Sequence, residues 1–212
     1  MFSYVNQTPM KKYRKHCFSV LSCLIIIFLG YPDLSGSEAM AGESKASEAV
    51  VCKVEQHLKD KKAKLGGRNL RAVAQTVCRE SQVRKVDYRL VLAVMEVESN
   101  YRHDAVSPDG SKGIMQLKPS TARGIVRKAD PTSNGSLDLF DPRTNIKIGV
   151  YFLSQLLDEF KTIRKALYAY NVGPYRAKRH LARMPANKDP NSTFTQRVIS
   201  AFQSNRLTLP AI

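Results

Sequence analysis

Tyr88-Arg89-Leu90-Val91-Leu92-Ala93-Val94-Met95-Glu96-Val97-Glu98-Ser99-Asn100 is the stretch that decides the fold. Apolar side chains stand at Leu90, Val91, Leu92, Val94, Met95 and Val97. They cover nearly the whole circumference of an α-helix, so 88–98 predicts a buried central helix rather than an amphipathic surface one. The run stops abruptly at Glu98-Ser99-Asn100. A carboxyl at the end of such an apolar wall has its charged form destabilised by lost hydration. Its pKa therefore rises, and it can deliver a proton as a general acid. The competing reading is a solvated glutamate at a helix end. Glu96 serves as a control: two residues earlier, it lies about 200° round the helix and cannot share a pocket with Glu98.

Downstream, Val106-Ser107-Pro108-Asp109-Gly110-Ser111-Lys112-Gly113 is dense in turn formers and leads into Ile114-Met115-Gln116-Leu117. Gly110 and Gly113 admit unusual torsions, which predicts a tight β-hairpin or glycine-rich loop able to approach a ligand closely. Pro119 then opens a short helix. After a polar loop from Asp130 to Ser136, Asp141-Pro142 caps a helix running to about Phe160, with Ile146, Val150, Leu153, Leu157 and Phe160 on one face. Arg164–Tyr170 is closed by Asn171-Val172-Gly173-Pro174, and Pro174–Met184 and Ser192–Arg206 complete the set. The fold class is mainly α, with one small β-hairpin after the central helix and no internal repeat.

Upstream, Glu48–Lys61 and Asn69–Lys85 read as two helices separated by a Gly66-Gly67 turn, carrying Cys52 and Cys78 respectively. At the N-terminus, Lys11, Lys12, Arg14 and Lys15 precede fourteen uncharged residues, Cys17 to Gly30, and a polar stretch leads to Ala39-Met40-Ala41. That is the three-part layout of a secretory signal peptide with cleavage near Ala41. The uncharged run is short of the roughly 20 residues a spanning helix needs, so no stable membrane span is expected. Most of that run follows Cys23, which argues against lipoprotein processing there. Cys17 and Cys23 leave with the signal. Cys52 and Cys78 remain as an even count in an oxidising compartment, which predicts a single disulfide, with two buried free thiols as the alternative. Neither has a His or Cys partner at ligand spacing, so no metal and no cofactor is implied.

The 212 residues are 43% hydrophobic and 25% charged, which excludes wholesale disorder, collagen and a disulfide-dense miniprotein. Lys+Arg number 34 against 18 Asp+Glu, a net +16, and loss of residues 1–41 leaves 30 against 16. Such a field favours a polyanion. For an exported chain with no nucleic-acid motif, the partner is a membrane surface or an acidic wall polymer, not nucleic acid.

The pattern Glu98-Ser99-x-Tyr101-x-x-x-Ala105-x-Ser107-x-x-Gly110-x-x-Gly113-Ile114-Met115-Gln116-Leu117-x-Pro119-x-Thr121-Ala122 resembles the signature of the Slt-type lytic transglycosylases, lysozyme-like enzymes that cleave peptidoglycan. Ala169-Tyr170-Asn171-Val172-Gly173 matches their second block. Two ordered blocks of this length are far more specific than one short motif. The resemblance spans about Val86 to Phe202. With the signal peptide 1–41 and the N-terminal helical pair 42–85 read above, it implies a lysozyme-like domain 86–206 and a tail 207–212, with the cleft between hairpin and helices.

The resemblance also implies roles. Glu98 protonates the MurNAc–GlcNAc β-1,4 oxygen and then, as base, takes the proton of the MurNAc C6 hydroxyl, which closes a 1,6-anhydro ring. Ser99 holds the glutamate or substrate. Gly113, Ile114, Met115 and Gln116 line the saccharide cleft, and Tyr170 and Asn171 form its opposite wall. Ordinary glycosidases need a second carboxylate; Asp104 and Asp109 occupy variable slots, and Asp138, Asp141 or Asp158 are those that folding could bring near. The family's late tyrosine, in a Tyr-Val-x-x-Val pattern, is matched here by Phe194-Thr195-Gln196-Arg197-Val198, without the hydroxyl; Tyr168, Tyr170 or Tyr175 could substitute. His103 and His180 read as surface residues. The implied protein is a compact periplasmic monomer acting on peptidoglycan glycan strands, in housekeeping or beside a secretion or conjugation apparatus. A hydrolase of the goose-lysozyme kind and a non-catalytic wall-binding module are the alternatives.

Overall fold

The computed structural model describes residues 34–65, 70–129, 137–185 and 187–211, with side chains from Ser47 onward. The basic and apolar runs of the expected signal peptide, the Gly66-Gly67 turn and the 130–136 loop lie outside the described residues. The chain is mainly helical. In order come α1 (Leu34–Asp60), α2 (Leu70–Arg84), α3 (Tyr88–Ser99), α4 (Pro119–Ala129), α5 (Pro142–Phe160), α6 (Ile163–Val172), α7 (Pro174–Leu181) and α8 (Thr193–Thr208). The backbone of α1 runs as helix through Ala39-Met40-Ala41, where cleavage is expected. No described helix is long and apolar enough to cross a membrane.

α3 is the axis of the molecule. Leu90 through Met95 are at most 2% exposed, as an all-round apolar helix requires. The Asp87 carboxylate caps its start by accepting from the Arg89 amide at 2.9 Å. Its far end is stopped by two consecutive left-handed residues, Asn100 (φ 50°) and Tyr101 (φ 57°). Such torsions cost L-residues about 1–2 kcal/mol each, so something must hold them. The Tyr101 ring is fully buried and its hydroxyl meets His57 Nε2 of α1 at 3.0 Å.

α8 packs along α3, where Asn205 donates to the Arg89 carbonyl at 3.0 Å. The C-terminal tail is anchored: Leu209 is buried and the Pro210 carbonyl accepts from the Tyr88 hydroxyl at 2.6 Å. α2 packs on α1, α3 and α5, so the N-terminal pair shares one continuous core with the rest. Asp141 caps α5 by accepting from the Thr144 amide at 3.0 Å, with Pro142 in the first turn.

Two expectations need correcting. The 105–117 segment is not a laddered hairpin: among the described residues it shows only isolated antiparallel bridges, Val106 to Lys112 and Lys112 to Leu117. Left-handed torsions at Gly110, Gly113 and Gln116 turn the chain every few residues, leaving no run long enough to pair. The expected disulfide is also absent, and Cys52 and Cys78 are free thiols. Cys52 sits on the exposed side of α1, with the Arg71 guanidinium 3.7 Å from its sulfur, whereas Cys78 points into the core. The two thiols face different surroundings.

Candidate active site

The C-terminus of α3 opens into a cavity of about 340 Å³. Glu98 lines it, together with Asp109, Gln116 and Lys118 from the loop and the start of α4, Phe152 of α5, and Tyr170, Asn171 and Arg176 at the α6–α7 junction. Glu96 is not among the lining residues; it is spent behind the helix, pairing with Lys61 at 2.7 Å.

The loop facing Glu98 is tied down from three sides. Asn145, fully buried on α5, donates to the carbonyls of Lys112 (3.0 Å) and Leu139 (2.9 Å) and accepts from the Met115 amide (2.8 Å). Ser99 donates to the Ile114 carbonyl at 2.7 Å, with the Met95 carbonyl a second acceptor at 3.1 Å. The Tyr170 hydroxyl donates to the Met115 carbonyl at 2.9 Å. Gly113 is demanded by this knot. At φ +80°, a Cβ there would lie 2.2 Å from the Leu139 carbonyl and 2.3 Å from the Asn145 amide nitrogen.

The residues singled out from sequence therefore divide. Glu98, Gln116, Tyr170 and Asn171 share the cavity wall. Gly113, Ile114 and Met115 do not line it. Ile114 and Met115 are fully buried because their apolar side chains turn into the core, Met115 against Gly149, and only their backbone carbonyls serve the site. Ser99 is buried as well, a brace rather than a wall. The Gln116 amide nitrogen is engaged by the carbonyls of Ala105 (3.0 Å) and Gly113 (2.8 Å), so it holds the loop closed. His180 is exposed beside the Tyr168 ring, and His103 Nδ1 lies 3.1 Å from the Phe140 carbonyl.

Burial, and secondarily the negative charge of Asp109, push Glu98 up to about 8. Among the described residues its carboxyl has no hydrogen-bond partner, so nothing offsets the lost hydration. None of the tyrosines that could substitute for the late hydroxyl reaches it: Tyr170 bonds Met115, Tyr168 packs on His180, and Tyr175 is 70% exposed. Phe194 stacks on the Tyr170 ring, nearly parallel at 6.5 Å. At neutral pH the group is a carboxylic acid in a concave site, able to give up a proton and later to take one.

Asp109 is the residue sequence reasoning passed over. Hydrogen bonds hold it well below the usual carboxylate range: from the Ser107 hydroxyl first, from Lys118 at 3.0 Å, and from the Ser111 hydroxyl at 3.1 Å. The local signal was the turn itself, since an aspartate commonly accepts from the backbone two residues on, as Asp109 does from the Ser111 amide at 3.4 Å. Asp104 instead pairs with Arg102, Asp138 bonds the Phe140 amide, and Asp141 caps α5; none of these, nor Asp158, lines the cavity. Among the described residues no group of three His, Cys, Asp or Glu could hold a metal.

Residues 75–192 match the model of the transglycosylase SLT domain. The chain belongs to that family. Among solved structures it is similar to the 70 kDa soluble lytic transglycosylase Slt70 from Escherichia coli, with 25% identity over 62% of this chain and 24% of that one, at a TM-score of 0.56. An inactive mutant of the lytic transglycosylase Slt from Pseudomonas aeruginosa matches at 29% identity over 63% of this chain and 21% of that one, with a TM-score of 0.47. The chain spans about a quarter of the length of these relatives.

Proposed function

We propose that the protein is a lytic transglycosylase of peptidoglycan, cleaving the MurNAc–GlcNAc β-1,4 bond with Glu98 as acid and then base. The observation that carries this is a neutral glutamic acid, unpartnered among the described residues, in the one concave site that the family's two sequence blocks build together. With its proton held to about pH 8, Glu98 can protonate the glycosidic oxygen as the C1–O bond breaks. The resulting carboxylate then accepts the proton of the MurNAc C6 hydroxyl as that oxygen bonds C1. Ring closure returns the acid form, gives a 1,6-anhydro end and consumes no water. Ser99 and Tyr170 act on the loop, keeping its carbonyls and Gln116 fixed opposite the acid, while Asn171 remains a wall residue available to the saccharide. Preceding the enzyme with a signal peptide at 1–41 would deliver it to the periplasm, where this substrate lies.

A hydrolase is the second reading, and Asp109 favours it. Two carboxyl groups on one cavity, one protonated and one ionised, are the usual equipment for water-dependent glycoside cleavage. Digestion of purified sacculi followed by mass spectrometry separates the two. Anhydro muropeptides, lighter by one water than reducing-end products, support the transglycosylase; reducing ends from the wild-type protein would make it a hydrolase, and no release would sink both.

A further inference from the structure

Lys161 to Lys188 holds eight lysines and arginines and not one Asp or Glu. α7 lies in the middle of this stretch and buries only Ala177. Arg176, Arg179 and Arg183 follow an i, i+3, i+7 spacing, and Ala182 keeps a right-handed helical conformation that carries the row past the helix end. Lys178 points elsewhere and pairs with Glu159, and Arg164 pairs with Asp189 at 3.5 Å. Arg179 lies over the exposed Tyr175 ring, 5.7 Å from its centre. Among the described residues, no carboxylate pairs with Arg176, Arg179 or Arg183.

The row does not start on a flat surface. Arg176 lines the same cavity as Glu98, and Arg179 and Arg183, further along the chain, lie beyond its lining. Seven residues of helical rise cover about 10 Å. An extended peptide of three or four residues spans that distance at roughly 3.3 Å per residue. Guanidinium groups prefer carboxylates, which match their forked donors.

We propose that Arg176, Arg179 and Arg183 form a carboxylate-binding row for the acidic peptide branch of a muramyl residue seated in the cleft. The proposal rests on the peptidoglycan reading above. The sugar backbone offers at most the single lactyl carboxylate of a muramyl residue without peptide, too little for three aligned cations to meet, whereas the peptide branch carries several carboxylates and leaves the sugar ring beside the bond to be cut. A bilayer is a poorer fit, because a flat surface cannot follow the row into a concave site and α7 exposes only one large apolar side chain, Tyr175.

The test compares peptide-bearing glycan strands with the same strands stripped of peptide by an amidase, which hydrolyses the lactyl amide and leaves a single carboxylate on each muramyl residue, next to the ring. The double variant Arg179→Ala/Arg183→Ala, which leaves Arg176 and the cavity wall intact, is set against a control, Lys53→Ala/Lys147→Ala, which removes equal charge from other exposed sites. On peptide-bearing strands the row variant should raise KM about fivefold, the summed effect of two weak exposed ion pairs, with kcat unchanged. On stripped strands its KM should match wild type, and the control should alter neither. Equal KM changes on both substrates, or the same change in the control, would overturn the proposal. If the wild-type protein cleaves neither substrate, the catalytic reading fails by itself. Cosedimentation with the two kinds of strand then decides the row, which falls if its removal leaves peptide-dependent binding intact. Loss of binding to phosphatidylglycerol vesicles with unchanged peptide dependence would assign the row to a membrane and likewise overturn it.

Discussion

Glu98 shows how a single carboxyl can be both useful and costly. Between its ordinary value of 4.5 and about 8, the folded chain keeps a proton that the unfolded chain releases, so stability falls as pH rises through that window. Glu98→Gln removes that cost and leaves no proton to transfer. The variant should lose at least 10²–10⁴-fold in product release, the usual worth of a positioned acid–base group. It should also unfold at a higher temperature than wild type, with a gap that is small near pH 5 and reaches the order of a few kcal/mol by pH 8 to 9. Calorimetry across pH reads this, and a gap independent of pH would show that Glu98 is not protonated in the fold. Asp109→Asn withdraws the smaller of the two influences on Glu98. The alkaline limb of the activity profile should therefore move to lower pH, by less than burial contributes; movement to higher pH would contradict the electrostatics. Glu98 could be read from sequence because an apolar helix ending in a glutamate is a local pattern. Asp109 could not, because its place on the cavity wall depends on a turn whose path is set by Asn145, thirty-six residues further on.

At the scale of elements, the helices were legible and the segment between α3 and α4 was not. Apolar periodicity, Asp141-Pro142, and the terminating Gly173 and Pro174 marked α2 to α8 to within a few residues, whereas α1 begins at Leu34, well before the expected Glu48. The segment was expected as a hairpin because its glycines and apolar run look like strand and turn. Its hydrogen bonds go instead to side chains from α3, α5 and α6, which no local pattern announces. The Asn145 knot has a measurable weight. Asn145→Ala leaves the Leu139 carbonyl and the Met115 amide without partners, while the Lys112 carbonyl keeps the Leu117 amide, at about 1–3 kcal/mol for each unsatisfied group with partial relief by relaxation. Urea unfolding should show a loss on the order of 3 kcal/mol, and a loss below about 1 kcal/mol would mean water replaces the amide. The α1–α2 pair makes a separate prediction. Burial pushes the Cys78 thiol up to about 11, while Cys52 is exposed. Since thiolate is the reactive form, an alkylating agent at neutral pH should label Cys52 in the native protein and Cys78 only after unfolding. An unreduced mass short by two hydrogens would restore the disulfide that the compartment argument expects.

At the scale of the molecule, a net +16 sets long-range behaviour without setting the fold. Among the described residues Lys53, Arg123, Lys147 and Arg197 are exposed and make no ion pair, so such fields add at a distance and should draw the protein to any polyanionic wall polymer before the cleft engages. Screening sets the test. The Debye length is about 8 Å at physiological ionic strength and about 3 Å at 1 M, so contributions from cations far from the substrate vanish first as salt is added. The Glu98→Gln variant, which should bind without turnover, can be pelleted with intact sacculi over a series of sodium chloride concentrations. The bound fraction should fall steadily with salt, and a residue of binding that survives at high salt measures what the cleft supplies through hydrogen bonds and apolar contact. Binding that does not change with salt would place recognition wholly in the cleft and leave the excess of lysine and arginine without a role in reaching the wall.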